Sequence, residues 1–173
     1  MRDFVYVDEG KEAPFLDQAK TFGYEELILI YKKKPKQTPK DEKLSLLTAL
    51  VNQKGNDLHI VLGTSLTQVP KNAHFLVDNE FDEEKDFVHQ RRSGLNHVML
   101  KECKQKGVII LFNLSKLRKQ PEERISLILG RMKQNAQLCK KYGVPFELVS
   151  LADEASAMRH AKDISAMKRA LFS

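Results

Sequence analysis

The sequence predicts an α/β fold: a seven-stranded, mostly parallel β/α barrel, TIM-like and either complete or incomplete, formed by residues 1–173 as a single domain. The first observation is that apolar runs alternate with segments of helical period, which is typical of parallel strand pairing. The second is that runs such as "LILIY" and "VIILFN" are almost wholly apolar, as in strands buried on both faces. The third is that no glycine-rich phosphate loop follows a predicted strand, which disfavours the alternative, a doubly wound open sheet.

The first half of the chain supplies five of these strands. A short strand is predicted at 4–8, and the segment 13–22 combines an early proline with apolar residues at helical spacing, which indicates a helix. The apolar run 27–31 is predicted to be a buried strand, and the basic segment 32–40, with two prolines, a loop. The other elements predicted here are a helix at 41–53 and strands at 59–63, 74–78 and 86–89.

The second half has clearer helix boundaries. The segment 93–107 is predicted to be a helix with Ser93 as its N-cap and Gly107 at its end. The longest helix is predicted at 121–143, which opens with proline and closes with glycine. Strands are predicted at 108–113 and 145–150, followed by one or two helices through 166–172.

The charge is distributed unevenly along the chain. Residues 1–86 hold 12 Lys+Arg and 16 Asp+Glu, whereas residues 87–173 hold 17 Lys+Arg and 7 Asp+Glu, so the two halves carry −4 and +10. A strongly basic half fits a polyanionic partner, of which nucleic acid is the commonest. The alternative at this stage is a lysine-rich surface that only meets solvent.

Cysteine content and hydropathy bear on the compartment. Cys103 and Cys139 lie on predicted helices with apolar patterns, so we expect buried free thiols rather than a disulfide or a metal site. No apolar run approaches the roughly 18 residues that a membrane span needs, and the first ten residues lack a signal-peptide core. We therefore expect a cytoplasmic protein without a membrane partner.

Catalytic signals are weak. His89 ends a predicted strand, and active sites of β/α barrels collect at strand ends. Its partners in a metal site would be Asp8, Asp78 or Asn113, and one histidine with scattered carboxylates is a poor metal signal. No serine lies in the Gly-x-Ser-x-Gly context of a nucleophile. The residues therefore predict no catalytic group and no protein-bound metal or cofactor.

The stretch "HQRRSGLNHV" predicts a phosphate-binding turn. Arg91 and Arg92 lie between a strand end and a predicted helix N-terminus, where guanidinium groups and free backbone N–H groups converge on an anion. His89, Ser93 and His97 are expected to support this turn structurally. Loops after successive parallel strands share one face of a barrel, so further RNA contacts are expected nearby. They are Lys116, Arg118, Lys119, Arg124, Arg131 and Lys133.

The same region resembles a known family. Its motifs are a strand ending in His89, a basic turn, the helix start Ser93 to His97, "FNL" at 112–114, and a helix that carries Arg131-Met-x-x-Asn135 and ends in Lys-Tyr. Over residues 87–150 this order and spacing resemble archaeal ribonuclease P protein component 3. The closing segment 158–171 resembles the family more weakly, and Ser150-Leu151-Ala152 departs from the family's Ser-Gly-Ala.

The resemblance implies a barrel of the PHP type without that fold's metal ligands. It implies a subunit of the ribonucleoprotein that removes 5′ leaders from precursor tRNA, in which the RNA subunit does the chemistry with Mg²⁺. The implied partners are the ribonuclease P RNA, component 2 and the other ribonuclease P proteins, with precursor tRNA contacted indirectly. The alternative is a PHP-like metal-dependent phosphoesterase.

The long helix offers a candidate protein-contact surface. Ile125, Leu129, Met132 and Ala136 are spaced to face the barrel. Leu127 and Leu138 lie about three turns apart on a different stripe, where they are expected either to contact a partner protein or to be covered by this chain.

Overall fold

In the computed structural model, seven parallel strands form one sheet in the order of the sequence, which confirms the predicted fold class. The structure describes residues 1–51, 58–63, 66, 68–82, 86 and 93–172. The strands are β1 (Arg2–Tyr6), β2 (Glu26–Tyr31), β3 (Ser45–Val51), β4 (Leu58–Leu62), β5 (Phe75–Val77), β6 (Ile109–Asn113) and β7 (Phe146–Val149). The helices are α1 (Ala13–Thr21), α2 (His97–Lys106), α3 (Leu114–Arg118), α4 (Glu122–Tyr142) and α5 (Ala161–Phe172), with a 3-10 turn at Ala155–Ala157.

The two edges of the sheet approach each other and nearly close the barrel. The Tyr6 N–H donates to the Ala152 carbonyl at 2.8 Å, next to an isolated parallel bridge between Val5 and Ala152. The buried Asp3 carboxylate accepts from the Ser150 N–H at 2.7 Å. Burial raises the pKa of Asp3 to about 6, although this hydrogen bond opposes the shift. One bridge and one buried carboxylate therefore take the place of a continuous β1–β7 ladder.

Strand side chains alternate between the barrel interior and the helical layer outside it. On β2, Ile28 and Ile30 point inward, while Leu27, Leu29 and Tyr31 pack on the outer side, where α1 covers them. The interior is filled by apolar side chains from every strand, namely Phe4, Ile28, Ile30, Ala49, Ile60, Phe75, Val77, Leu111 and Val149, together with Leu151. The barrel interior is thus a packed core rather than a ligand cavity.

The predicted helix at 41–53 is wrong, because this segment contains β3. Leu44, Leu46 and Leu50 join the outer apolar layer, and Ala49 and Val51 join the interior. This period of two is partly hidden in "LSLLTALV", whose leucines also fit a helical period. Pairing with β2 and β4 on both sides decides in favour of the strand.

The predicted strand at 86–89 lies outside the described residues except for Asp86, and β5 pairs directly with β6. The described residues form seven strands, the number predicted, although β3 was not among those predicted.

The C-terminal ends of α2 and α4 were predicted correctly, whereas the start of α2 was not. Gly107 and Gly143 end α2 and α4 with a φ of 68° in each case, as predicted. The N-cap of α2 is Asn96 rather than Ser93: its Oδ1 accepts from the backbone N–H groups of Val98 and Met99. None of the described helices combines the length and apolar character needed to cross a membrane.

Candidate nucleic-acid interface

Polar side chains from β5 and β6 meet at the carboxyl end of the barrel. Asp78 follows β5 directly with a φ of 65°, and Asn113 ends β6. The Asn113 Nδ2 donates to Asp78 Oδ1 at 3.0 Å, and the Lys116 ammonium donates to Asp78 Oδ2 at 2.8 Å. Asn113 also caps α3, since its Oδ1 accepts from the Lys116 backbone N–H at 2.9 Å. Lys116 thus compensates a buried carboxylate within the chain.

Two further groups face this cluster, and both escaped the sequence analysis. Glu80 is fully buried, and neither of its carboxylate oxygens has a hydrogen-bond partner within the described part of the chain. Burial raises the pKa of Glu80 to about 8, and the Asp78 charge adds to the rise while Lys116 opposes it. Burial and the Asp78 charge also raise the pKa of Tyr6 to about 12. Nothing in the acidic run "DNEFDEEKD" distinguishes Glu80 from the other acidic residues around it.

The cluster does not assemble a metal site from the described residues. No group of three or more His, Cys, Asp or Glu side chains there could hold an ion. Of the predicted ligand candidates, Asp78 and Asn113 come together and His89 lies outside the described residues. Asp8 instead lines a neighbouring cleft of about 430 Å³, where Lys11 approaches it at 3.5 Å. This cleft contains both signs of charge and does not resemble a phosphate cradle.

The predicted phosphate-binding turn can be assessed only at its C-terminal side. Arg91, Arg92 and His89 lie outside the described residues. Ser93 is buried and held by α4: the Asn135 Nδ2 donates to the Ser93 carbonyl at 2.8 Å, and the Gln134 Nε2 donates to Ser93 Oγ at 3.2 Å. Ser93 is therefore held by α4 and is not the N-cap of α2, and its support of the turn stays a prediction.

The helix start also differs from the prediction. His97 is exposed as the first residue of α2, and the capping contacts come from Asn96. The first free N–H groups of α2 thus lie further along the chain from Arg92 than predicted.

Arg131 is not a surface residue, so its predicted RNA contact is wrong. Its side chain is 0% exposed, and its Nε donates to Asp86 Oδ1 at 2.8 Å. Its Nη1 donates to the carbonyl oxygens of Asp82, at 2.7 Å, and Glu80, at 3.2 Å. A buried guanidinium needs such partners, because an unpaired charge in the interior is very costly. Through these hydrogen bonds, Arg131 connects α4 to the segment after β5.

The other predicted cations divide into three groups. Lys116 and Lys119 are ion-paired with Asp78 and Asp153, the second pair being largely exposed. Arg124 is half-buried and donates to the Asp82 carbonyl at 3.2 Å. Arg118 borders an apolar groove, and Lys133 is exposed on α4.

The long helix contacts the barrel through a stripe shifted from the predicted one. Met132 and Ala136 are buried as predicted, whereas Ile125 and Leu129 are only half-buried. Leu138 is half-buried and packs in part against the main apolar core, so its partner contact stays a prediction. Leu127 is half-buried, and its partner contact stays a prediction.

A second group of cations lies between α4 and α5, and the sequence analysis singled out only Lys133 among its members. We call Lys133, Lys140, Lys168 and Arg169 the α4–α5 basic patch. Three of them line a cleft of about 390 Å³ with Phe146 and Phe172, and Lys140 joins it to a smaller cleft lined by Lys133.

The charge of this patch is not compensated within the described chain. Lys140 and Lys168 donate to the backbone carbonyls of Phe172 and Phe146, which leaves their charges uncompensated. Within the described ranges no carboxylate pairs with any member of the patch. It is therefore a described surface suited to polyanionic phosphates.

Comparison with known proteins supports the fold. No protein-family model matches the chain, and no curated protein matches it. A chain in the cryo-EM structure of archaeal ribonuclease P with mature tRNA is similar in structure, with a TM-score of 0.73. At 14% sequence identity, the similarity covers 99% of this chain and 82% of that one. A crystal structure of an uncharacterized protein matches with a TM-score of 0.31 and 10% identity, over 85% of this chain and 40% of that one.

Proposed function

We propose that this protein is a subunit of a ribonuclease P, where it binds and stabilises the structured RNA that matures the 5′ ends of precursor tRNAs. The observation that carries the proposal is the structural similarity, over nearly the whole chain, to a chain of an archaeal ribonuclease P. The motifs at 87–150 that resemble ribonuclease P protein component 3 point independently to the same assembly. In this proposal the RNA catalyses cleavage with Mg²⁺, and component 2 is the nearest protein partner.

The proposed mechanism is electrostatic. Cations of the basic half neutralise RNA phosphates that crowd around a folded core, and each contact releases counterions into solution. The α4–α5 basic patch, Lys119 and the pair Arg91 and Arg92 are the proposed contacts. RNA shape and backbone would be recognised rather than bases, because few aromatic side chains lie exposed among these cations. No catalytic group on the protein is required.

The test is binding of a ribonuclease P RNA across a range of salt concentrations. We expect Arg91→Ala/Arg92→Ala and Lys133→Ala/Arg169→Ala each to lower affinity and to reduce the slope of log affinity against log salt by about 0.7–0.9 per lost phosphate contact. The matched control is Lys33→Ala/Lys43→Ala, which removes two exposed charges from the acidic half and should leave the slope unchanged.

A second measurement addresses the assembly. Reconstitution with component 2 and ribonuclease P RNA should lower the Mg²⁺ concentration needed for precursor-tRNA cleavage, and the two double variants should raise it again. If the wild-type chain bound ribonuclease P RNA no better than an unstructured RNA of equal length, the proposal would be rejected. Stoichiometric zinc or manganese in the purified protein, together with phosphoesterase activity that depends on it, would instead favour a metal-dependent phosphoesterase.

A further inference from the structure

An apolar groove of about 450 Å³ runs between α3, α4 and α5. Leu114 and Leu117 of α3 are buried and contribute the most deeply placed side chains of its lining. Leu129 of α4 and Leu171 of α5 line it too, and both are only half-buried against the main core. The groove thus exposes side chains that the rest of the fold leaves incompletely covered.

The groove is lined in part by residues that were predicted to face the barrel from α4. Ile125 and Leu129 have the spacing of core residues, but the core under α4 is completed by Ile128, Met132 and Ala136. Ile125 and Leu129 therefore lie at the edge of the core, and they line the groove together with Met167 of α5. Apolar grooves of this kind are docking places for the apolar face of an amphipathic helix.

The rim of the groove carries positive charge alone. Arg118 and Arg159 are the charged residues of its lining, and no carboxylate lines it among the described residues. Neither guanidinium has an ion-pair partner in the described part of the chain, in contrast to nearby Lys119 with its partner Asp153. Two uncompensated guanidinium groups beside an apolar floor are complementary to carboxylates that flank apolar side chains.

We propose that this groove docks an amphipathic helix of a second protein, with leucine-like residues at i, i+3 or i+4 and i+7 and with acidic residues along both flanks. The inference rests on the proposed function, since it assigns a protein-contact surface to a ribonucleoprotein subunit. RNA does not fit the groove floor, which offers phosphates no polar group. A second copy of this chain is the competing occupant, and the test distinguishes it.

The probe is a synthetic amphipathic helix of about 20 residues, long enough to fold, with a leucine stripe flanked by glutamates. A matched peptide carries lysines at the same flanking positions. At low salt, fluorescence anisotropy should show that the full-length protein binds the glutamate peptide at least about tenfold more tightly than the lysine peptide. Arg118→Glu/Arg159→Glu should reverse that preference, which a merely misfolded variant cannot do.

The control variant is Lys101→Glu/Lys162→Glu, which changes the net charge equally at exposed positions outside the groove and should retain the preference. Equal binding of both peptides, or binding of neither, would overturn the inference. So would concentration-dependent dimerisation that the Arg118→Glu/Arg159→Glu variant abolishes, since the groove would then hold a second copy.

RNA binding is measured on the same variants, so that the two proposals can fail separately. We expect Arg118→Glu/Arg159→Glu to reduce RNA affinity no more than the charge-matched control does; a larger reduction would assign these arginines to RNA and overturn the docking role. If the wild-type protein bound RNA but neither peptide, the inference would fail while the proposed function stood. Binding of the glutamate peptide without RNA binding would support the groove and refute the proposed function.

Discussion

Replacing Arg131 with methionine should cost about 3–5 kcal/mol of folding stability, the usual effect of breaking a buried ion pair. The change removes the donors to the Asp86 carboxylate and to the carbonyl oxygens of Glu80 and Asp82. Methionine fills a similar volume, so the loss of these donors rather than a cavity dominates the effect. For a chain of this length the midpoint of thermal unfolding should fall by roughly 6–20 °C.

The assay is urea unfolding of Arg131→Met beside Lys133→Met, an exposed lysine on the same helix whose loss should cost less than about 0.5 kcal/mol. A double-mutant cycle with Asp86→Asn should return a coupling energy of at least about 1 kcal/mol. If Arg131 instead contacted RNA, Arg131→Met would leave unfolding unchanged and reduce the salt slope of RNA binding by about 0.7–0.9. That pattern would refute the structural role.

Three further changes test other parts of the structure. Asn96→Ala should destabilise the protein by about 1 kcal/mol because α2 loses its cap, whereas Asn96→Ser should lose only a fraction of that; urea unfolding checks both. Leu151 is buried in the barrel interior with a φ of 47°, so Leu151→Gly, although destabilising, should be more stable than Leu151→Ala by about 1 kcal/mol, the reverse of the usual order. Burial raises the pKa of Glu80 from 4.5 to about 8, so the folded state binds this proton more tightly than the unfolded state does. Stability should therefore fall as pH rises from about 4.5 to about 8, and Glu80→Gln should flatten that fall in unfolding curves; an unchanged pH dependence would show that Glu80 is not buried as an acid.

The parts of the fold that sequence reasoning found are those with a local physical cause. Apolar runs such as 27–31 have few alternatives to a buried strand, and a glycine that ends a helix needs no tertiary contact to do so. The helix prediction for 41–53 was wrong because the leucines of this segment fit both a helical period and a strand period. Pairing with the neighbouring strands decides between the two. Ser93 and Asn96 are both good caps, and the contacts of Ser93 with α4 decide which one begins α2.

The candidate site was harder to predict because charge in a sequence does not reveal its partner. Lys116 and Arg131 looked like surface cations, yet each compensates a group inside this chain. A signal for Arg131 was present: it continues the stripe of Ile128 and Asn135, all three fully buried. Lys133 was named, but the rest of the α4–α5 basic patch was missed because its members come from two helices that are distant in sequence. Only the packing of α5 beside α4 brings them together.

These contacts also give a physical meaning to the motif that pairs Arg131 with Asn135. Arg131 donates to the Asp86 carboxylate, and Asn135 donates to the Ser93 carbonyl. Helix α4 is therefore hydrogen-bonded to the chain immediately before and after residues 87–92. A single helix therefore holds the residues on both sides of the segment 87–92, whose sequence includes Arg91 and Arg92. Fixing both ends lowers the conformational entropy that phosphate binding must remove. In the proposed function, the buried motif would therefore assist RNA binding without contacting RNA itself, because it holds the two residues that flank the segment with Arg91 and Arg92.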